Sequence, residues 1–175
     1  MAINSNMDIE IKSKCEVKII DGKTYIYFID EIELDRSNFE QRVKIITLMK
    51  KTTLGEVASK FGTTQGNFFS RCRTGKMSFS EQRKIAEIFG CDIVIKFVFS
   101  DGTELTANSV RELVAKSCSH IGITQSELGE RLGKSRQTFS SKLINGRFTD
   151  SEIAEIAEKL GCAYVNYFDV DGIEI

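Results

Sequence analysis

No run of apolar residues in this chain exceeds a few positions, whereas a membrane-crossing helix needs roughly 18–20. A membrane span is therefore excluded, and no membrane partner is expected. The opening MAINSNMDIEIKSK has no apolar signal-peptide core, so the chain is expected to stay in the cytoplasm. The five cysteines, Cys15, Cys72, Cys91, Cys118 and Cys162, are odd in number and include no C-x-x-C pair. This argues against a disulfide framework or a zinc site and for small reduced core residues. Histidine occurs once, as His120, and reads as a surface or helix-capping residue. There is no His/Cys constellation, no P-loop and no G-x-S-x-G, and no recognisable acid–base carboxylate pair. The expectation is a non-enzyme with no catalytic residue, metal or cofactor. Proline and tryptophan are also absent, and nothing follows from either.

What is present is an ordinary globular balance. The chain has 175 residues, 41% apolar and 28% charged, enough for one or two small domains. Its net charge of −1 hides a division. Residues 36–90 hold 11 basic and 4 acidic residues, a balance of +7. Residues 108–161 hold 8 and 7, and the remaining segments are acidic. A local basic surface bears on nucleic acid more than the overall isoelectric point does.

The two basic-to-neutral blocks are copies of each other. At an offset of 71 positions, Thr53/Thr124, Glu56/Glu127, Gly62/Gly133, Phe68/Phe139, Ser70/Ser141, Gly75/Gly146, Glu81/Glu152, Gly90/Gly161 and Cys91/Cys162 coincide without a gap. This is an internal duplication. Capping boxes, Ser or Thr followed three residues later by Glu, mark helix starts at Ser37, Thr53 and Ser78, and again at Ser109, Thr124 and Thr149. A further helix in each repeat begins near Thr64 or Ser135, and glycines at 62, 75, 133 and 146 close helices. Each block ends in strand-like sequence with an Asp-Gly turn signal. Hairpins are expected at Asp101-Gly102 and Asp171-Gly172, and a third at Asp21-Gly22 ahead of the first block. Isolated hairpins are marginal in water, so they should pair with each other or with a second chain, a route to a homodimer.

In the second repeat Leu128 and Leu132 share one helix face, and Phe139 and Leu143 share another. Gly129 stands where two backbones would cross closely, and Gly133-Lys134-Ser135 is a tight turn. Two helices locked in this way form a helix-turn-helix, whose second helix suits the major groove. With Phe139 and Leu143 inward, Gln137, Ser141 and Ile144 point out, and Ser135 and Arg136 lie at the helix start. Arginine can pair with guanine and glutamine with adenine. Gln125 sits where helix amides favour a phosphate. Lys142, Asn145 and Arg147 can add backbone contacts.

T124-Q-x-E-L, the Gly133 turn, S135-R-Q-T-F and N145-G146, with T63-T-Q-G-N-F upstream, resemble the lambdoid phage repressor and Cro family of helix-turn-helix proteins. The resemblance covers about residues 37–90 and 108–161. It implies double-stranded DNA binding, usually as a repressor, by base-reading residues at Arg136, Gln137 and Ser141, and at Gln65, Gly66 and Ser70. The family's phosphate-contacting glutamine falls on Gln125. The first repeat departs from the pattern: Leu54 stands for that glutamine, Gly66 removes a reading side chain, and Phe69 replaces Ser140. Arg71, Arg73 and Lys76, with Thr64, suit phosphate contact there.

The expected fold is mainly α with β-hairpins: an N-terminal hairpin over 1–35, then repressor-like helix-turn-helix bundles, each with a hairpin, over 36–107 and 108–175. The leading function is a sequence-specific transcriptional regulator, with the fused pair acting as a pseudo-dimer. The alternative is a protein-binding inhibitor or antitoxin of a mobile element, anti-CRISPR-like, that keeps the scaffold and binds a protein partner.

Overall fold

The computed structural model describes residues 38–175 throughout and, before them, the backbone of β1 (Cys15–Ile20) and β2 (Lys23–Phe28), paired antiparallel from Cys15↔Phe28 to Ile20↔Lys23. The expected turn at Asp21-Gly22 lies outside the described residues. Then follow α1 (Phe39–Met49), α2 (Leu54–Phe61), α3 (Gln65–Arg73), α4 (Phe79–Phe89), β3 (Asp92–Phe99) and β4 (Glu104–Ala107). The second repeat supplies α5 (Val110–Ile121), α6 (Gln125–Arg131), α7 (Arg136–Asn145), α8 (Asp150–Leu160), β5 (Cys162–Val170) and β6 (Ile173–Glu174). The molecule is therefore mixed α+β, with the same order of four helices and a hairpin occurring twice.

Local chemistry sets these boundaries. Thr53 and Thr124 form reciprocal capping boxes, each accepting from the glutamate amide three residues on while that carboxylate accepts from the cap amide (2.8 and 2.6 Å). At Ser78 and Thr149 the Glu81 and Glu152 carboxylates take the cap amide, at 3.0 and 3.1 Å. The first helix starts one residue later than the sequence motif at Ser37 suggested. Asn38 caps it, accepting from the Gln41 amide, because Asn caps as well as Ser, while Glu40 turns to Lys44. Asn38 is also the 71-position equivalent of Ser109, which caps α5. Asp171 and Gly172 both have positive φ (55° and 85°), the two-residue turn that matches strand twist.

The hairpins of the two repeats join into one antiparallel sheet, in the order β4-β3-β5-β6. The β3–β5 register runs from Asp92↔Asp169 to Phe99↔Cys162 and sets Ile95 opposite Asn166. These two residues are equivalents at the 71-position offset. A second antiparallel bridge joins Ser78 to Thr149, again equivalents. A residue that faces its own equivalent in antiparallel pairing lies on a two-fold axis. Two such pairs define a pseudo-two-fold relation between the repeats.

Burial follows the same crossing. Phe168 and Val170 of β5 lie in the first repeat's core with Phe39, Ile46, Phe68 and Ile85. Ile95, Phe97 and Phe99 of β3 lie in the second core with Leu113, Leu128, Phe139 and Ile153. The expected boundary at 107/108 therefore separates the repeats in sequence, while their cores are completed across it.

At the axis sits a polar network inside this apolar setting. Arg42, only 4% exposed, donates to the Asn166 carbonyl at 3.0 Å and side-chain oxygen at 3.3 Å. It lies 3.7 Å from Asp150. Asp150 accepts from Gln82 (2.9 Å), Tyr164 (2.8 Å) and Asn166 (2.8 Å), and Asn166 also donates to Gln82 (2.9 Å). Burial pushes the Arg42 pKa down and the Asp150 charge opposes that. Burial, then Asp150, pushes the Tyr164 hydroxyl up.

Arg42→Leu removes the buried cation but leaves its acceptors in place. Breaking one partner of a buried charged pair costs about 3–5 kcal/mol, and the partial exposure of Asp150 puts the expected loss at or below the lower figure. Denaturant unfolding reads it, and a variant as stable as the parent would contradict the assignment.

Candidate nucleic-acid interface

In the second repeat α6 and α7 cross at Gly129. A Cβ there would lie 3.3 Å from the Phe139 Cβ and Cδ1 atoms, tighter than ordinary contact, so the glycine eases the approach; the first repeat holds Ala58 at the equivalent position. The turn between them takes Gly133 through φ 65°, and Ser135 caps α7 by accepting from the Thr138 amide at 3.2 Å. Leu128, Leu132, Phe139 and Leu143 are all buried, as the spacing required. The opposite face of α7 is open: Arg136, Gln137, Ser140, Ser141 and Asn145 are exposed. Gln137, Ser141, Lys142, Asn145 and Arg147, with Thr138, line a shallow open groove along it. Gln125, the first residue of α6, is also exposed.

The first repeat builds the same frame with different side chains. Gly62 closes α2 at φ 91°, and Thr64 caps α3 by accepting from the Asn67 amide at 3.3 Å. Phe68 and Cys72 face the core, and Gln65, Gly66, Asn67, Ser70 and Arg73 are exposed. Leu54 is half-buried against the first core. Phe69 is half-buried too, with the Lys44 ammonium 4.8 Å from its ring centroid, so it is partly covered by its own repeat.

Two of the cations expected to touch phosphate are already engaged. Arg71 binds Glu81 at 2.6 Å, and its equivalent Lys142 binds Glu152 while lying 5.2 Å from the Phe148 ring centroid. Arg73, Lys76, Arg136 and Arg147 make no ion pair among the described residues. Burial raises the Glu81 and Glu152 pKa values, but the Arg71 and Lys142 bonds and the cap amides outweigh it, and both end below the usual range.

Sequence reasoning passed over Asn67 and Thr138, which occupy equivalent exposed positions in the first turn of α3 and α7. Both hold side-chain hydrogen bonds, Asn67 to Thr63 at 2.8 Å and Thr138 to Ser135 at 2.8 Å. Helical spacing from Phe68 and Phe139 could have found them. The axial network has no such local signal, because its members come from α1, α4, α8 and β5.

Elsewhere the chemistry is quiet. Cys72, Cys91, Cys118 and Cys162 are free thiols. Burial pushes Cys72 up to about 12, and Cys91 and Cys162 up to about 11, which keeps them protonated and unreactive. His120 packs edge-on against Phe99 and lies 3.3 Å from Asp101. Among the described residues no group of three or more His, Cys, Asp or Glu is gathered as a metal site, and no helix is long and apolar enough to cross a membrane. The chain matches no family model, no curated protein and no solved structure.

Because Glu81 and Glu152 ionise more readily folded than unfolded, they stabilise the fold above about pH 4.3, and that contribution disappears as pH falls through their lowered pKa values. The double variant Glu81→Gln, Glu152→Gln should melt a few degrees below the parent at pH 7, given roughly 2–4 °C per kcal/mol for a chain of this size. The gap should narrow as pH falls below about 4.3. A gap that is unchanged or larger at pH 3 would contradict the ion-pair reading.

Proposed function

We propose that the chain is a double-stranded DNA-binding transcriptional regulator, most simply a repressor, that presents α3 and α7 to the major groove. The observation that carries this is the pair of equivalent helices, each locked by a glycine-containing turn, with its core residues inward and a mostly polar, exposed face outward among the described residues. The α7 face offers Arg136, Gln137 and Ser141 for base edges. Ser135, Gln125, Asn145 and Arg147 are available for phosphates. The α3 face offers Gln65 and Ser70 for bases, and Thr64, Arg73 and Lys76 for phosphates. Arg71 and Lys142 shape the neighbouring turn through their glutamates, so their contribution to phosphate binding is the smaller one.

The pseudo-two-fold relation supports the same reading. The chain takes five steps from Arg73 to Ser78 and four from Asn145 to Thr149. At about 3.5 Å per step and about 5.5 Å across the bridge, the C-terminal ends of α3 and α7 lie within about 37 Å of each other. Paired reading helices on successive turns of one duplex face are about 34 Å apart, inside that bound.

One observation favours a protein partner instead. Ile144 is 66% exposed near the C-terminal end of α7, a large apolar side chain beside the polar face. It suits an inhibitor or antitoxin that keeps the scaffold, although it also suits contact with a thymine methyl.

Fluorescence anisotropy with the duplex upstream of the gene and a scrambled duplex separates the readings. Arg136→Ala should weaken specific binding by about ten- to a hundredfold, in line with 1–3 kcal/mol per bidentate base contact, and leave scrambled-duplex binding nearly unchanged. Equal losses on both duplexes would remove the base-reading role. No binding by the parent at low salt would favour the protein partner.

A further inference from the structure

The five residues of the axial network share a property visible only when the repeats are overlaid. Arg42 is equivalent to Leu113, Gln82 to Ile153, Asp150 to Phe79, Tyr164 to Ile93 and Asn166 to Ile95. Every polar member has an apolar counterpart. Arg42 and Gln82 come from the first repeat and Asp150, Tyr164 and Asn166 from the second, so each contact across the axis is polar where its two-fold image is apolar; of the counterparts, Leu113, Ile153, Phe79 and Ile95 are buried in the second core. Two first repeats paired with each other would bring Arg42 and Gln82 to an axis lacking Asp150 and Asn166. Two second repeats would bring Asp150 and Asn166 without Arg42. A pair of first repeats leaves the buried Arg42 guanidinium and Gln82 amide without those acceptors, at a cost that discriminates against it. Only the pairing of first repeat with second brings Arg42 and Gln82 to Asp150 and Asn166, and one chain contains both. A single chain is thus the complete two-headed unit.

The two heads are not alike. In chain order, the open face of α7 carries Arg136, Gln137, Thr138, Ser140, Ser141 and Ile144 where α3 carries Gln65, Gly66, Asn67, Phe69, Ser70 and Arg73. On α7 Arg136, with no ion pair among the described residues, sits beside Gln137. On α3 the first-turn donors are the amides of Gln65 and Asn67, the latter also donating to Thr63; Arg71 is held by Glu81, and the exposed Arg73 stands about two turns further along the helix. Arginine selects guanine, and glutamine and asparagine select adenine.

We infer that one chain recognises a non-palindromic duplex site made of two inverted, unequal half-sites about one helical turn apart. The α7 half requires a G·C pair next to an A·T pair, and the α3 half requires A·T pairs opposite its first turn, where no arginine stands. The inverted order follows from the pseudo-two-fold axis, the inequality from the reading faces, and the 1:1 stoichiometry from the one-sided network. The inference rests on the DNA-reading function proposed above.

The test is selection of duplexes from a randomised pool by the full-length chain, with the stoichiometry on the enriched duplex measured by sedimentation velocity. The expected result is a bipartite motif with unequal inverted halves, bound by one chain. In repeat selections, Arg136→Ala should flatten only the guanine-containing half, and Gln65→Ala only the other, each with an affinity loss of about ten- to a hundredfold on the parent's motif. A perfect palindrome bound by two chains overturns the inference and leaves DNA reading standing. So does a single half-site indifferent to Gln65→Ala. Failure to enrich any motif overturns DNA reading itself, and this inference with it.

Discussion

The antiparallel pairing of β3 with β5 is the constraint on which the rest of the molecule depends. Its register sets Ile95 against Asn166, and that one coincidence turns a tandem duplication into a pseudo-symmetric object. Once the strands cross, Phe168 and Val170 fall into the first core, and Ile95, Phe97 and Phe99 into the second. Neither repeat closes its core with its own strands alone. The network of Arg42, Gln82, Asp150, Tyr164 and Asn166 then holds the crossing in place with a chemistry that the apolar cores cannot supply. Burial of a phenylalanine contributes about 1.5–3 kcal/mol wherever it lands, but it is indifferent to which copy it joins. Directional hydrogen bonds around a buried arginine are not indifferent. They distinguish one repeat from the other.

This division of labour accounts for what the two halves share and where they differ. The shared positions are those that shape the frame: capping threonines and glutamates, left-handed glycines, and the inward Phe68 and Phe139. Among the diverged positions, two sets bear on how the repeats differ in role. One set lies at the axis, where divergence makes the pairing one-sided. The other lies on the outer faces of α3 and α7, where divergence makes the two heads chemically unequal. For a DNA-reading chain of the kind proposed, both changes are gains, because a tethered second contact is intramolecular and an asymmetric interface keeps both contacts in one chain.

Much of the fold was legible locally. Capping boxes, glycine stops and Asp-Gly turns depend on a few neighbouring residues, and they placed helix starts to within a residue. The one-residue offset at the first helix arose because Ser37 and Asn38 are both competent caps, and the box motif favoured the wrong one. The inward and outward faces of α7 followed from helical spacing, and Gly129 from the need for close approach to Phe139. The shared sheet was legible only as a need, since hairpins cannot stand alone. Its register was not, because strand pairing across some 70 residues is set by packing on both cores. The axial network and the ion pairs that occupy Arg71 and Lys142 were invisible for the same reason. Each joins residues distant in sequence, or residues whose charge alone suggested a different partner.

The most direct test of the account is hydroxyl-radical footprinting of the full chain on a duplex it selects. The account expects two protected windows on one face of the duplex, with centres about 10 base pairs apart, both protected in parallel as chain is added up to one equivalent. A single window, or a second window that fills only after a second chain binds, would contradict the single-chain, two-headed reading.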